Sequence, residues 1–407
     1  MSWQELQLGE AFRIKHGYAF KSQYFGEAGK HVVLTPGNFQ EAGGFRSRPG
    51  KDRFYTVEPP EDFILKPDDL VVAMTEQGEG LLGSSAMIPV EGSYLHNQRI
   101  GLIEDLDESK LDKGFLYRLF NTSQVRAQIR ATASGTKVRH TAPKRIYAVR
   151  VRAPSIAEQR RISEVLSNHD DLIENNRRRI ALLEEAARLL YREWFVHLRF
   201  PGHEHARVTD GLPEGWERVR LSDKFDTASG GTPSRQRSEF FEGEINWVKT
   251  QELDERPVFS TAEKITEEAV RCSSAKLLPA HTLLVSIYGN TNIGRTGILA
   301  VPGATNQACV ALFPKRKPDD WIYAQLWLQQ HRDYIVGLAQ GAAQTNISQQ
   351  TLRGLELLWP KDILLDAFLD VVLDQYRQME CLCLQNEKLT QARDLLLPRL
   401  MNGEIAV

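Results

Sequence analysis

Apolar residues recur at alternating steps of four and three along two stretches of this 407-residue chain. In the first stretch they stand at Ile162, Leu166, Ile173, Ile180, Leu183, Ala187, Leu190 and Trp194, interrupted by His169 and Asn176. In the second they stand at Phe368, Val372, Met379, Leu382, Leu389, Leu396 and Leu400, interrupted by Gln375, Asn386 and Arg393. This spacing is that of a coiled-coil seam. The first helix is read from about Ser155 to Phe195, its start marked by Pro154, Ser155 and Glu158 in the order of a capping box. The second follows Pro360, where Asp362 suits a cap. A helix of about 40 residues is ~60 Å long, more than a small domain is wide. Each therefore needs a partner, and the other has the matching period. Glu174 with Arg178, and Glu184 with Arg188, are the outer-face pairs expected of an exposed helix.

The interruptions choose the register. Laid antiparallel, the two seams fit at any shift of seven. A buried amide facing leucine loses hydrogen bonds at about 1–3 kcal/mol, whereas two facing amides satisfy each other. Pairing Asn176 with Asn386 sets Leu166 against Leu396, Ile173 against Leu389, Ile180 against Leu382, Leu183 against Met379 and Leu190 against Val372. His169 then lies near Arg393, and Ala187 near Gln375. Pro398 is expected to end or kink the second helix before Leu400 meets Ile162.

Outside the helices the chain alternates short β-rich runs with turns. Four segments result: 1–153 mixed, 154–200 helix, 201–359 connector and second mixed region, 360–407 helix and tail. Leu70–Met74 reads as a buried strand mirrored by Thr282–Ile287, and Lys113–Arg130 reads as a helix mirrored by Trp321–Ile335. The mirroring is general. Trp3, Leu8, Phe12 and Gly17 return 213 residues on as Trp216, Leu221, Phe225 and Gly230, and Asn97-Gln98 returns as Asn306-Gln307. Two copies of one module-plus-helix unit permit an internal two-fold, which suits a ligand with its own approximate two-fold, such as duplex DNA. The fold class expected is α+β: two similar mixed domains joined by two long antiparallel helices.

Composition adds limits. Four cysteines without Cys-x-x-Cys spacing predict reduced structural thiols and no metal site. No apolar run approaches the ~18 residues of a spanning helix, and the start Met1-Ser2-Trp3-Gln4-Glu5 shows no leader pattern. A cytoplasmic protein without membrane partners is expected. The net charge of −2 argues against a generic nucleic-acid binder, but Lys113–Arg152 holds ten Lys/Arg and no Asp or Glu, the footprint of a phosphate-facing surface.

Catalytic signatures are sparse. The chain has no Gly-x-x-x-x-Gly-Lys-Ser/Thr loop, no Gly-x-Gly-x-x-Gly opening a helix, and no Asn-Pro-Pro-Tyr-like run for methyl transfer. Gly83 and Gly294 follow the paired strands and read as turn residues. No catalytic or metal-binding residues are assigned, and no cofactor is expected in this chain.

Several runs together resemble the specificity subunit of type I restriction–modification systems. They are Pro154-Ser155-Ile156-Ala157-Glu158-Gln159-Arg160-Arg161-Ile162, Asp170-Asp171-Leu172-Ile173-Glu174, Gly211-Leu212-Pro213-Glu214-Gly215-Trp216, Ser229-Gly230-Gly231-Thr232-Pro233-Ser234 and Leu397-Pro398-Arg399-Leu400-Met401-Asn402-Gly403. The resemblance spans essentially the whole chain. It implies two target-recognition domains, each reading one half of a bipartite asymmetric site on double-stranded DNA, with the helices setting the spacer. It also implies a non-catalytic subunit that docks two methyltransferase subunits carrying S-adenosylmethionine. Through them it would engage restriction subunits that use ATP and Mg. The second copy departs at Pro360-Lys361-Asp362-Ile363-Leu364, where the family repeats the Glu158-Gln159 signature.

On that resemblance, Lys and Arg contact phosphates and a few polar side chains read base edges. The candidates are Lys137, Arg139, His140, Lys144 and Arg145 in the first domain, behind the Ser134-Gly135 turn. In the second they are Ser234, Arg235, Lys249, Arg295, Gln344 and Asn346. Gln344 and Asn346 suit adenine, because an amide bonds both edge atoms of that base. Two alternatives stay open. A stand-alone DNA-binding protein would shift DNA without a methyltransferase, and a coiled-coil scaffold would be untouched by loss of the basic cluster.

Overall fold

The computed structural model describes residues 3–48, 50–78, 80–289, 291–339 and 345–407. The chain forms two compact units, Met1–Leu172 with Leu389–Val407, and Ile173–Lys388. The long helices Ile156–Tyr191 and Asp362–Met401 each contribute a length to both units. Each unit is thus one mixed domain built onto a stretch of helix pair.

In the first unit, β1 (Gln4–Gln7) leads to β2 (Arg13–His16), then β3 (His31–Val33), β4 (Leu70–Ala73) and β5 (Thr75–Gln77). After these come β6 (Ser85–Met87), β7 (Tyr94–Leu95), β8 (Ile100–Glu104), β9 (Val138–His140) and β10 (Arg150–Ala153). The core is an antiparallel sheet in the order β2-β8-β4-β6. All four residues of β4 are buried, which explains its unbroken apolar run. β3 pairs in parallel with β7 in a separate sheet, and β1 pairs with β10, Gln4 opposite Ala153.

The second unit repeats this plan. Among its strands are β11 (Glu217–Arg220), β12 (Phe225–Ser229), β13 (Ile245–Val248), β14 (Pro257–Val258), β15 (Leu283–Ser286), β16 (Thr296–Leu299), β17 (Gly303–Thr305), β18 (Cys309–Pro314) and β19 (Glu356–Trp359). The core sheet runs β12-β18-β15-β16-β14, β13 pairs parallel with β17, and β11 pairs with β19.

The single helix expected over Lys113–Arg130 is two, α1 (Lys113–Phe120) and α2 (Ser123–Ala131). Apolar period runs through the break, but polar side chains end the first helix. Asn121 Nδ2 donates to Ser85 Oγ at 2.9 Å, and Thr122 Oγ1 caps α2 by accepting from Val125 N at 3.4 Å. The mirrored stretch divides likewise at His331, into α3 (Trp321–Gln330) and α4 (Arg332–Gly337).

The long helices meet in both units. In the second, Asn176 Nδ2 donates to Asn386 Oδ1 at 3.1 Å, and Trp194 packs on Phe368 with ring centroids 5.7 Å apart. A residue later in the first helix thus meets one earlier in the second, so the pair is antiparallel. Ile180, Leu382, Met379 and Val372 are buried there, while Leu183 and Leu190 are half-buried. Ile173 is buried and Leu389 half-buried. In the first unit Ile162, Leu166 and Leu400 share one core, with Leu396 packed against it.

Four local expectations change. The second helix does not stop at Pro398 but runs to Met401. Burial of Leu400 and Met401 beside Trp3 outweighs the one hydrogen bond that proline cannot donate. Glu184 pairs with Arg256 at 2.8 Å rather than with Arg188, which takes Glu185 at 3.3 Å. At the first helix's start it is Gln159 that fastens the turn, accepting from Asp112 N at 2.9 Å and donating to Pro154 O at 2.9 Å. Asp362 lies inside the second helix rather than capping it, with Arg316 at 3.8 Å.

Candidate nucleic-acid interface

Strand direction gathers the candidate loops at one end of each sheet. In the first unit His16 stands opposite Gly101 and Ala73 opposite Ile100, so the loops leaving β2 and β4 and the loop entering β8 emerge together. In the second, Ser229 opposite Val310 and Ser286 opposite Cys309 place the equivalent loops together. The duplicated Gly and Asn-Gln are found here. A Cβ on Gly17 would sit 2.1 Å from Asn97 O, and one on Gly230 would sit 2.2 Å from Asn306 O. Only glycine admits that approach. Asn97 Oδ1 accepts from Arg99 N, and Asn306 Oδ1 from Ala308 N, both at 3.1 Å. Each asparagine therefore shapes its own turn, and the following glutamine, Gln98 or Gln307, is left exposed.

The candidates of the first unit gather on and around β9. It pairs antiparallel with β5, setting Val138 opposite Gln77, Arg139 opposite Glu76 and His140 opposite Thr75. Gly135 (φ +96°) makes the turn before it, and Ser134 and His140 exchange backbone hydrogen bonds of 3.0 and 2.8 Å. His140 Nδ1 lies 3.1 Å from Thr75 Oγ1, and Arg145 Nη1 donates to Ser134 Oγ at 3.0 Å. Lys137, His140 and Lys144 are exposed, Arg139 and Arg145 half-buried. Five candidates thus sit on or beside one hairpin.

In the second unit Asn346 bridges Tyr288, and Gly289 N donates to Thr345 O at 3.2 Å. Asn346 is the 206-residue counterpart of His140, as Tyr288 is the 213-residue counterpart of Thr75. The two candidates hold the same position in their copies. Arg235 and Lys249 are joined through Glu263, at 2.7 and 3.4 Å, and Arg235 lies over the Phe241 ring at 4.2 Å. The Arg235 hydrogen bond holds the Glu263 carboxyl below the usual range. Ser234 is exposed. Arg295 lies beside the central strand's end, its carbonyl accepting from Ser286 N at 2.8 Å. Gln344 lies outside the described residues.

The basic run Lys113–Arg152 is not one phosphate-facing surface. Lys113 pairs with Asp68 at 2.7 Å, and Arg118, buried, pairs with Asp170 at 3.1 Å. Arg130 lies 4.0 Å from the buried Glu76 carboxylate. Arg126 donates to Gly80 O; burial, then Arg130, lowers its pKa to about 10, so it stays charged near neutral pH. These partners come from distant sequence and leave no local trace. Sequence reasoning also passed over Gln98, Gln307 and the exposed Tyr18 and Tyr288. Duplication at positions the fold leaves exposed was the signal for the glutamines.

Among the described residues no His/Cys/Asp/Glu cluster suits a metal ion, and no helix is long and apolar enough to cross a membrane. The family described as type I restriction modification DNA specificity domain matches residues 1–185 and 213–362. The chain is 28% identical over 197 residues to the type I restriction enzyme HindI specificity subunit of Haemophilus influenzae, covering 48% of this chain and 42% of that protein. It is 24% identical over 302 residues to the MjaIX specificity subunit of Methanocaldococcus jannaschii, covering 72% of this chain and 69% of that protein. The match to the first relative thus spans less than half its length. The fold resembles that of an S subunit of a type I restriction–modification system from M. genitalium, with TM-score 0.63, 14% identity, and coverage of 98% of this chain and 96% of that one.

Proposed function

Because this chain belongs to the family of type I restriction modification DNA specificity domains, we propose that it is the sequence-reading subunit of such a system. Each mixed domain reads one half of a bipartite site in double-stranded DNA. The observation that carries this is the equivalence of His140 and Asn346. Each pairs antiparallel with the chain leaving the buried central strand, in the same position of its copy. Around them Lys137, Lys144 and Arg145, and Arg235, Lys249 and Arg295, supply charge for phosphates.

The helix pair sets the distance between half-sites and docks two methyltransferase subunits, which bring S-adenosylmethionine. Restriction subunits with ATP and Mg join through the assembled complex. Apolar side chains left in solvent on the helices support docking, Leu182 at 71% and Leu395 at 69% exposure. The test is co-expression with the methyltransferase partner and mapping of methylated bases. Two short specified runs separated by an unspecified spacer are expected; methylation confined to one run, or absent, refutes the reading.

A further inference from the structure

Both copies hold the turn behind the reading strand with the same side chain. Arg126, on α2, donates through Nη2 to Gly80 O. Its counterpart 206 residues on, Arg332 on α4, donates through Nη2 to Thr291 O at 2.7 Å and through Nε to Ile293 O at 3.2 Å. Gly80 and Thr291 are themselves equivalent, each three residues before a glycine with positive φ, Gly83 (+80°) and Gly294 (+75°). A Cβ on Gly83 would sit 2.8 Å from Ile129 Cδ1; one on Gly294 would sit 3.2 Å from Arg332 Cγ and 3.6 Å from Ile335 Cγ2. Ile129 and Ile335 are again 206 residues apart, and both are fully buried. An arginine, an isoleucine and a glycine therefore recur as one contact set, although the residues around them differ.

We propose that Arg126 and Arg332 are matched positioning residues, each latching the turn that follows the segment to which one reading strand pairs, and so fixing the base-contact geometry of one half-site. This rests on the half-site reading above. A planar guanidinium offers donors at fixed angles, so it holds carbonyls of a turn that have no ladder partner. The donors so engaged are directed at the turn's carbonyls and not at phosphates. The latches are unequal. In the first copy the Glu76 carboxylate also grips this turn, accepting from Gly80, Leu81 and Leu82 N at 3.1, 3.0 and 2.9 Å. The second copy has Gly289 in that place. Arg332 therefore bears more of the load than Arg126.

The experiment uses the full complex with methyltransferase subunits, carrying Arg332→Lys, Arg332→Gln or Arg126→Lys. Binding is measured against DNA substituted in the first or the second half-site, across salt concentrations. Arg332→Lys should cut discrimination at the second half-site about tenfold, leaving the first unchanged. Arg126→Lys should do the reverse, more weakly. The slope of log affinity against log salt should not change, because neither residue touches phosphate. Hydrogen exchange at residues 291–294 should quicken in the Arg332 variants, a local readout that separates a loosened turn from an unfolded domain. Unchanged discrimination overturns the proposal. So does a slope reduced by about one, the mark of a direct phosphate contact, or equal loss at both half-sites. A wild-type complex that discriminates at neither half-site overturns the functional reading itself, and the latch with it.

Discussion

Asp170 shows how a side chain's role depends on partners far away in sequence. It lies 3.1 Å from Arg118 of the first domain and 2.9 Å from Arg393 of the second long helix. Asp170→Ala leaves the buried Arg118 guanidinium without its carboxylate, and the thermal midpoint should fall by the equivalent of about 2–3 kcal/mol. Joining Asp170→Leu with Arg118→Met should recover part of that loss. His96 gives a pH signature. Burial lowers its pKa to about 4, against the opposing hydrogen bond that Nε2 donates to Ile100 O at 2.9 Å. Above pH 6.5 the ring is neutral in both states; as pH falls the unfolded ring protonates first and the folded state loses stability, until the folded ring protonates near 4. Relative to His96→Gln, which keeps a donor, wild-type stability should drop by up to about 3 kcal/mol across that window. Lys137→Ala with Arg139→Ala should weaken DNA binding and lower its salt slope by up to about two. Composition alone put Arg118, Arg126 and Arg130 in one DNA-facing group with these residues. Asp170, Glu76 and Gly80 claim them instead, through contacts that only the fold creates.

At the scale of elements, the Asn176–Asn386 contact yields a cycle. Asn386→Leu alone strands a buried amide and should cost about 1–3 kcal/mol, while the double leucine variant should regain that stability and lose its unique register. A single variant as stable as wild type would mean the amides do not hold each other. The helices were legible because a seam is a local, periodic signal, and the amides that interrupt it carry the register. The break at Asn121 and Thr122 was not, because apolar period continues through it and the deciding bond goes to Ser85 on another strand. The central strands were legible for the opposite reason: burial on both faces makes Leu70–Ala73 and Leu283–Ser286 continuous runs. The pairing of β9 to β5 was not legible, since a strand of three residues carries no periodicity.

At the scale of the whole molecule, two domains on one plan predict separable halves. Replacing residues 217–350 with those of another family member should change one half of the methylated sequence and spare the other; a change in both would refute modularity. The chain purified alone should neither methylate nor cut DNA given S-adenosylmethionine, ATP and Mg. Methylation by a partner-free sample would end the division of labour proposed here.

In each domain a strand near the start is zipped to the last strand, Gln4 to Ala153 and Glu217 to Trp359. The two copies keep this closure although the step between them shrinks from 213 to 206 residues along the way. Whatever is inserted or deleted between the zipped strands is closed off before the chain reaches a long helix. Mutation can therefore lengthen, shorten or rewrite the loops between them while the heptad phase downstream stays as it was. The same ladder that ends a domain makes its interior a protected ground for evolutionary trial, where a new loop leaves the phase of the long helix untouched.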